Sequence, residues 1–138
     1  MKVLIVEDEA LLALELEYEV EAAGHQVIAH AASKSVALAA IDNNKPDFAF
    51  VDIQLIDGPT GVDIGRRLAD LDIPFVFVSG NLKRIPEGFV GAIGAIEKPY
   101  TVNGIQNALK FLDDYVKGNE AALPPPSLVL SSDWFGHA

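Results

Sequence analysis

The sequence predicts an α/β fold: a doubly wound parallel sheet of five strands with helices on both faces. Three observations predict it. Short apolar runs alternate five times with segments of helical period. The chain has 138 residues, about one domain, which is enough to bury a core. Half of its residues are hydrophobic, and its charges are dispersed rather than blocked, as in a globular chain. Parallel neighbours require crossover connections, and the crossovers here are helical.

The first strand is residues 3–6, followed by a helix in "EALLALELEYEVEAAG" with Leu12, Leu16 and Val20 on one core-facing stripe and Gly24 as its stop. Residues 26–31 form a second, weaker strand. His25 and His30 flank it with no metal-ligand partner in the pattern, and read as structural. Ser33 caps the helix of "KSVALAAIDNN", Pro46 ends the connection, and residues 48–51 form the third strand. The next helix carries Val62, Ile64, Leu68 and Leu71, after which Pro74 leads into a fourth strand at 75–78. "NLKRIPEGFVGAIG", broken by Pro86, Gly88, Gly91 and Gly94, makes the fourth helix irregular or short. A short strand at 95–97 and a final helix over 102–117 complete the pattern. Five such units suit the flavodoxin-like (βα)5 order 2-1-3-4-5, although the count alone does not fix the order.

Composition excludes several functions. A net charge of -10 with no basic stripe argues against binding nucleic acid through its phosphates. Without cysteine there is no disulfide framework, thiolate zinc site or cysteine nucleophile. No apolar stretch approaches the ~20 residues that span a bilayer, and "MKVLIVEDE" lacks the features of a signal peptide. The expected location is the cytoplasm, with neither nucleic acid nor membrane as partner.

In parallel α/β sheets the site lies at the carboxyl ends of the strands. Those ends carry Glu7 and Asp8, Asp52, Ser79 and Lys98. Taken singly, each is ordinary: a loop acid or helix cap, a turn hydroxyl, a solvated lysine. Together they place three carboxylates in one crevice, where they raise one another's pKa unless a cation sits among them. Oxygen-only ligands around a small open site suggest Mg²⁺ or Mn²⁺.

"VLIVEDE", "FVDIQL", "FVSG" and "EKPY", in this order and spacing over about residues 1–117, resemble the CheY-like receiver domain of two-component response regulators. The resemblance implies that Asp52 is the phosphoacceptor, that Asp8 binds Mg²⁺ directly and Glu7 through water, and that the backbone carbonyl of Gln54 is a further ligand. Ser79 and Lys98 would hold phosphoryl oxygens, with a cis Lys98–Pro99 peptide aiming the lysine inward. The donor would be a phosphohistidine on a histidine kinase or phosphotransfer protein, and the output a changed contact with a downstream protein. Such a protein catalyses half of its own phosphorylation without being a classical enzyme. The loop "IQLIDGPTGVD" suggests stand-alone receivers of general stress signalling, and "PFVFVSG" partly matches the PFxFATG motif of one such group.

Three departures concern the output. Ala95 stands where the family commonly has an aromatic rotor, the loop from Asp52 to Gly61 is one residue longer than the commonest form, and the segment before Lys98 is short and glycine-rich. Two rival readings remain. A flavodoxin-like nucleotide or flavin binder would meet acid in "VEDEA" where phosphate should sit. A pseudo-receiver scaffold would have little reason to keep all five site residues.

Residues 118–138 form a tail with no room for an output domain. Three prolines at 124–126 stiffen it, and Leu128, Val129, Leu130, Trp134 and Phe135 offer apolar surface beyond them. "SLVL" is expected to dock as an added strand or apolar clip on its own domain, a second subunit or a partner. A homodimer through the tail or the output face is compatible with this.

Overall fold

Period-two alternation sorts the strand side chains onto two faces of one sheet. Val3 and Ile5, Phe48 and Phe50, Val76 and Val78 pack into one core cluster. Their chain neighbours Leu4 and Val6, Ala49 and Val51, Phe75 and Phe77 pack into the other. Near-continuous apolar strands of this kind are stable only when covered on both sides, which is the condition for a parallel sheet.

The computed structural model describes residues 1–118 and 123–131. The strands are β1 (Lys2–Val6), β2 (Gln26–Ala31), β3 (Phe48–Asp52), β4 (Phe75–Ser79), β5 (Gly94–Glu97) and β6 (Val129–Leu130), and the helices are α1 (Ala10–Ala22), α2 (Lys34–Asn43), α3 (Gly61–Asp70) and α4 (Val102–Val116). The sheet order is β2-β1-β3-β4-β5-β6. The first five strands pair in parallel in the flavodoxin-like order, and β6 joins β5 antiparallel. α1 and α4 cover one face, through Leu16, Val20, Ile105, Leu109 and Leu112. α2 and α3 cover the other, through Ala37, Ile41, Ile64 and Leu68. Among the described residues no helix is long and apolar enough to cross a membrane.

Ser33 caps α2 as expected, its Oγ accepting from Val36 N at 3.4 Å. One expectation needs correction. The buried stripe of α1 is Ala13, Leu16 and Val20, with Leu12 only half-buried. Leu11, Leu14 and Tyr18 face solvent at 69%, 56% and 73% exposure, because apolar and acidic residues are interspersed around the helix and its contact with the sheet chooses the face. The five expected strands are joined by a sixth from the tail, Val129 and Leu130, so "SLVL" docks as an added strand on its own domain, one of the three placements expected of it. Trp134 and Phe135 lie outside the described residues.

In place of a regular helix between β4 and β5, two 3-10 segments run over Leu82–Arg84 and Glu87–Gly91. Four successive residues there, Gly88, Phe89, Val90 and Gly91, have φ of 76°, 54°, 54° and 90°. Left-handed backbone suits the glycines but strains Phe89 and β-branched Val90, at roughly 1–2 kcal/mol per residue.

Candidate functional site

The alternation continues past the strand ends. Glu7 lies two residues beyond Ile5, Asp52 two beyond Phe50 and Lys98 two beyond Ile96, so all three emerge on the α1/α4 side of the sheet. Lys98 Nζ donates to Glu7 Oε1 at 2.6 Å and to Asp52 Oδ2 at 2.8 Å, bridging two carboxylates that would otherwise repel. The Lys98–Pro99 peptide is cis. One carboxylate oxygen from each of Glu7, Asp8 and Asp52 lies within 4.8 Å of the others.

A cleft of about 380 Å³ opens above this cluster, with Asp8, Asp52, Gln54, Ser79, Arg84 and Lys98 among its lining residues. Glu7 is buried behind the cleft, where its Oε2 accepts from the Glu9 N–H at 3.3 Å. Asp52 is 7% exposed, and its Oδ1 accepts from the Gln54 N–H at 3.2 Å. That contact orients the carboxylate while leaving it open on the cleft side. A larger groove of about 490 Å³, between β2 and α2, is lined by Ile28, Ala29, Val36 and Ala40 with no titratable side chain. The chemistry therefore belongs to the smaller cleft.

Four of the five strand-end residues, Asp8, Asp52, Ser79 and Lys98, line the cleft, and Glu7 joins them through Lys98. Ser79 lines the cleft with its hydroxyl engaged in its own loop. Its hydroxyl donates to Asn81 O and accepts from Asn81 N, both at 3.1 Å, so it is committed to its own loop. Gly80 leaves open space beside it, with no atom within 4 Å of where a β-carbon would stand. Arg84 was missed by reading strand ends alone, since it reaches the cleft from a 3-10 turn. The only sequence signal for it was "KR" within a glycine-rich stretch, and that pattern carries no direction.

Burial pushes the Glu7 carboxyl up to about 7, Asp52 beside it adds to the rise, and Lys98 opposes both. Burial also works against the charge on Lys98, but its hydrogen bonds to Asp52 and Glu7 outweigh this and raise its pKa. Lys98 is therefore a fixed cation. Three hard oxygen donors beside an open polar cleft fit a small divalent ion such as Mg²⁺ or Mn²⁺ better than a soft one.

Because the folded Glu7 pKa of about 7 lies above its ordinary 4.5, the folded state holds the extra proton between these values. Stability is then greatest below pH 4.5 with respect to this group and is lost as pH rises through 7. In metal-free buffer, Glu7→Gln is expected to gain on the wild type by about 1–3 kcal/mol between pH 5 and pH 8. Urea unfolding at both pH values measures the difference, and a difference independent of pH would contradict the raised pKa.

Residues 3–110 match the response regulator receiver domain family. The phyllosphere-induced regulator PhyR of Methylorubrum extorquens is 36% identical over 89 residues, covering 63% of this chain and 33% of that protein. The solution structure of the PhyR receiver domain from Erythrobacter litoralis superposes with a TM-score of 0.74 at 27% identity, covering 88% of this chain and 94% of that one. The crystal structure of the anti-anti-sigma factor PhyR from Bartonella quintana gives a TM-score of 0.65 at 28% identity, covering 84% of this chain and 49% of that one. The chain spans between 33% and 52% of the length of the curated relatives it matches. With its fold, its strand-end site and this match over residues 3–110, the chain belongs to the response regulator receiver domains, the signalling modules of two-component systems.

Proposed function

We propose that this receiver accepts a phosphoryl group on Asp52 from a phosphohistidine and passes the change on through altered contacts with a downstream protein. The observation that carries the reading is the cleft-facing Asp52 carboxylate, held by the Gln54 N–H on one oxygen and by Lys98 Nζ on the other. A carboxylate must be ionised, oriented and open on one side to act as a nucleophile. Residues 1–117 would form the receiver unit and 118–138 its tail.

Glu7, Asp8, Asp52 and the Gln54 carbonyl would hold Mg²⁺ or Mn²⁺. When bound, such an ion offsets the repulsion between the attacking carboxylate and the incoming phosphoryl group. An Asp52 oxygen forms the new bond to phosphorus as the phosphorus–nitrogen bond breaks, and the imidazole nitrogen keeps the electron pair and takes a proton. Lys98, already 2.8 Å from Asp52, follows the charge onto a phosphoryl oxygen. In-line attack by water reverses the modification. The donor would be a histidine kinase or a phosphotransfer protein. Likeness to PhyR proteins, one described as an anti-anti-sigma factor and another as a stress response regulator, supports a downstream partner in sigma-factor control and a role in stress signalling.

Incubation with a small phosphodonor tests this: one hydroxylamine-labile phosphoryl group per chain is expected with Mg²⁺ and none with EDTA. A chain left unlabelled by both a small donor and a phosphohistidine protein would instead be a pseudo-receiver scaffold. Lys98→Ala should still take label but lose much of the structural response, since it removes the charge-assisted contact.

With Ala95 buried where an aromatic rotor would sit, the response should run through Ser79. Turning its hydroxyl toward a phosphoryl oxygen breaks both of its bonds to Asn81, freeing the start of the strained segment that ends at Gly91. Hydrogen exchange with and without a phosphoryl mimic is expected to differ across residues 80–94. Identical protection in both states would reject this route.

A further inference from the structure

The cleft holds more acid than base. Asp8, Glu9 and Asp52 line it and Glu7 is buried behind it, against two cations, Lys98 and Arg84. The two cations differ in what they already hold. Lys98 Nζ is engaged by Glu7 at 2.6 Å and by Asp52 at 2.8 Å, so two carboxylates offset its single charge. Arg84 forms no ion pair among the described residues.

The backbone fixes where Arg84 starts. On one side, Asn81 Oδ1 accepts from the Lys83 N–H at 3.0 Å and Asn81 O accepts from the Arg84 N–H at 3.1 Å, which closes the 3-10 turn Leu82–Arg84. On the other, the Ile85 N–H donates to Leu82 O at 3.2 Å, and its side chain, 8% exposed, is buried in the core cluster on the α2/α3 side. The left-handed stretch begins only at Gly88, beyond Pro86. An exposed side chain on an anchored turn thus borders the cleft. Lys83, one residue earlier, is exposed as well but does not line it.

A phosphoryl group brings about two negative charges with it. In this cleft it meets a lysine already shared between two carboxylates and a Ser79 hydroxyl already bonded to Asn81. A guanidinium stays charged at any working pH and presents a planar fork of N–H donors that matches two phosphoryl oxygens at once. We propose that Arg84 is a phosphoryl-binding residue of the cleft, its guanidinium pairing with the oxygens of a phosphoryl dianion that lies against Asp52. The class of ligand rests on the phosphoacceptor reading, and Arg84 is the group that receives it.

The first measurement needs no covalent transfer. Inorganic phosphate is titrated into the full, Mg²⁺-saturated chain and followed through the amide signals of Gly80 and Asn81. Arg84→Ala is expected to weaken binding at least tenfold, and Arg84→Lys, which keeps the charge but loses the fork, to fall between. Lys83→Ala makes the same charge change in the same turn and should stay within twofold of the wild type. Mg²⁺ affinity in phosphate-free buffer should hold or rise in Arg84→Ala, because a cation leaves the vicinity of the carboxylates, whereas a collapsed turn would weaken both ligands. A wild type that binds no phosphate at the cleft overturns the proposal. So does an Arg84→Ala variant that binds it as the wild type does or loses Mg²⁺ in parallel, or a Lys83→Ala variant that loses as much as Arg84→Ala. Label uptake from a small phosphodonor by the same chains separates the two readings. Uptake by the wild type with unaltered phosphate binding in Arg84→Ala rejects Arg84 and leaves Asp52 standing. Arg84-dependent phosphate binding by a wild type that takes no label rejects the phosphoacceptor and supports Arg84.

Discussion

Asp52→Asn is expected to abolish Mg²⁺-dependent phosphoryl uptake while leaving the fold intact. The amide has the shape of the carboxylate, keeps an oxygen for the Gln54 N–H, and leaves Lys98 paired with Glu7 at 2.6 Å. What it lacks is a nucleophilic oxygen, so the loss should be complete rather than graded. Removing one of three crowded carboxylates also relieves repulsion, so thermal stability should hold or rise. Phosphoryl uptake by intact-mass measurement, read beside a melting curve, checks both statements. Label on the Asp52→Asn variant at the wild-type rate would move the phosphoacceptor elsewhere.

Gly61→Ala should have the largest effect on stability of any single methyl group added near the site. Its β-carbon would stand 2.0 Å from the Asp52 carbonyl oxygen, 2.6 Å from Ile53 Cα and 2.8 Å from the Asp52 carbonyl carbon. All three are backbone atoms, so no side chain can turn aside. The Gly61 N–H also donates to Ile53 O at 3.1 Å, which ties the start of α3 to the end of β3 and closes the loop carrying Gln54. Relief of the clash requires α3 to move off the strand, at a cost of about 3 kcal/mol or more. Phosphorylation should fall with it, because the same shift displaces Asp52. Gly80→Ala is the contrast: with open space around it, its stability should stay within about 0.5 kcal/mol of the wild type. Urea unfolding of the two variants measures the pair, and equal stabilities would refute the packing argument.

The amino-acid sequence by itself determined the succession of strands and helices, and with it the residues delivered to one end of the sheet. Both follow from local periods: a strand turns its side chains every second residue, and a helix between two strands forces them parallel. Glu7, Asp52 and Lys98 could thus be found from the ends of apolar runs, and the four motifs around them resemble one family. Other facts depended on contacts between residues far apart in the chain. Leu11, Leu14 and Tyr18 have the composition of core residues, yet the sheet selected Ala13, Leu16 and Val20. Lys98 meets Glu7 across 91 residues of chain, and nothing near either residue encodes the distance. The Ser79 hydroxyl bonds Asn81 of its own loop, and Arg84 enters the cleft from a turn whose left-handed sequel no propensity anticipates. Gly94 reads as a helix breaker until the tail is laid against it. Only tertiary packing could decide these points, because the free energy of burying a face or joining two charges depends on which surface arrives opposite, and local sequence does not specify that surface.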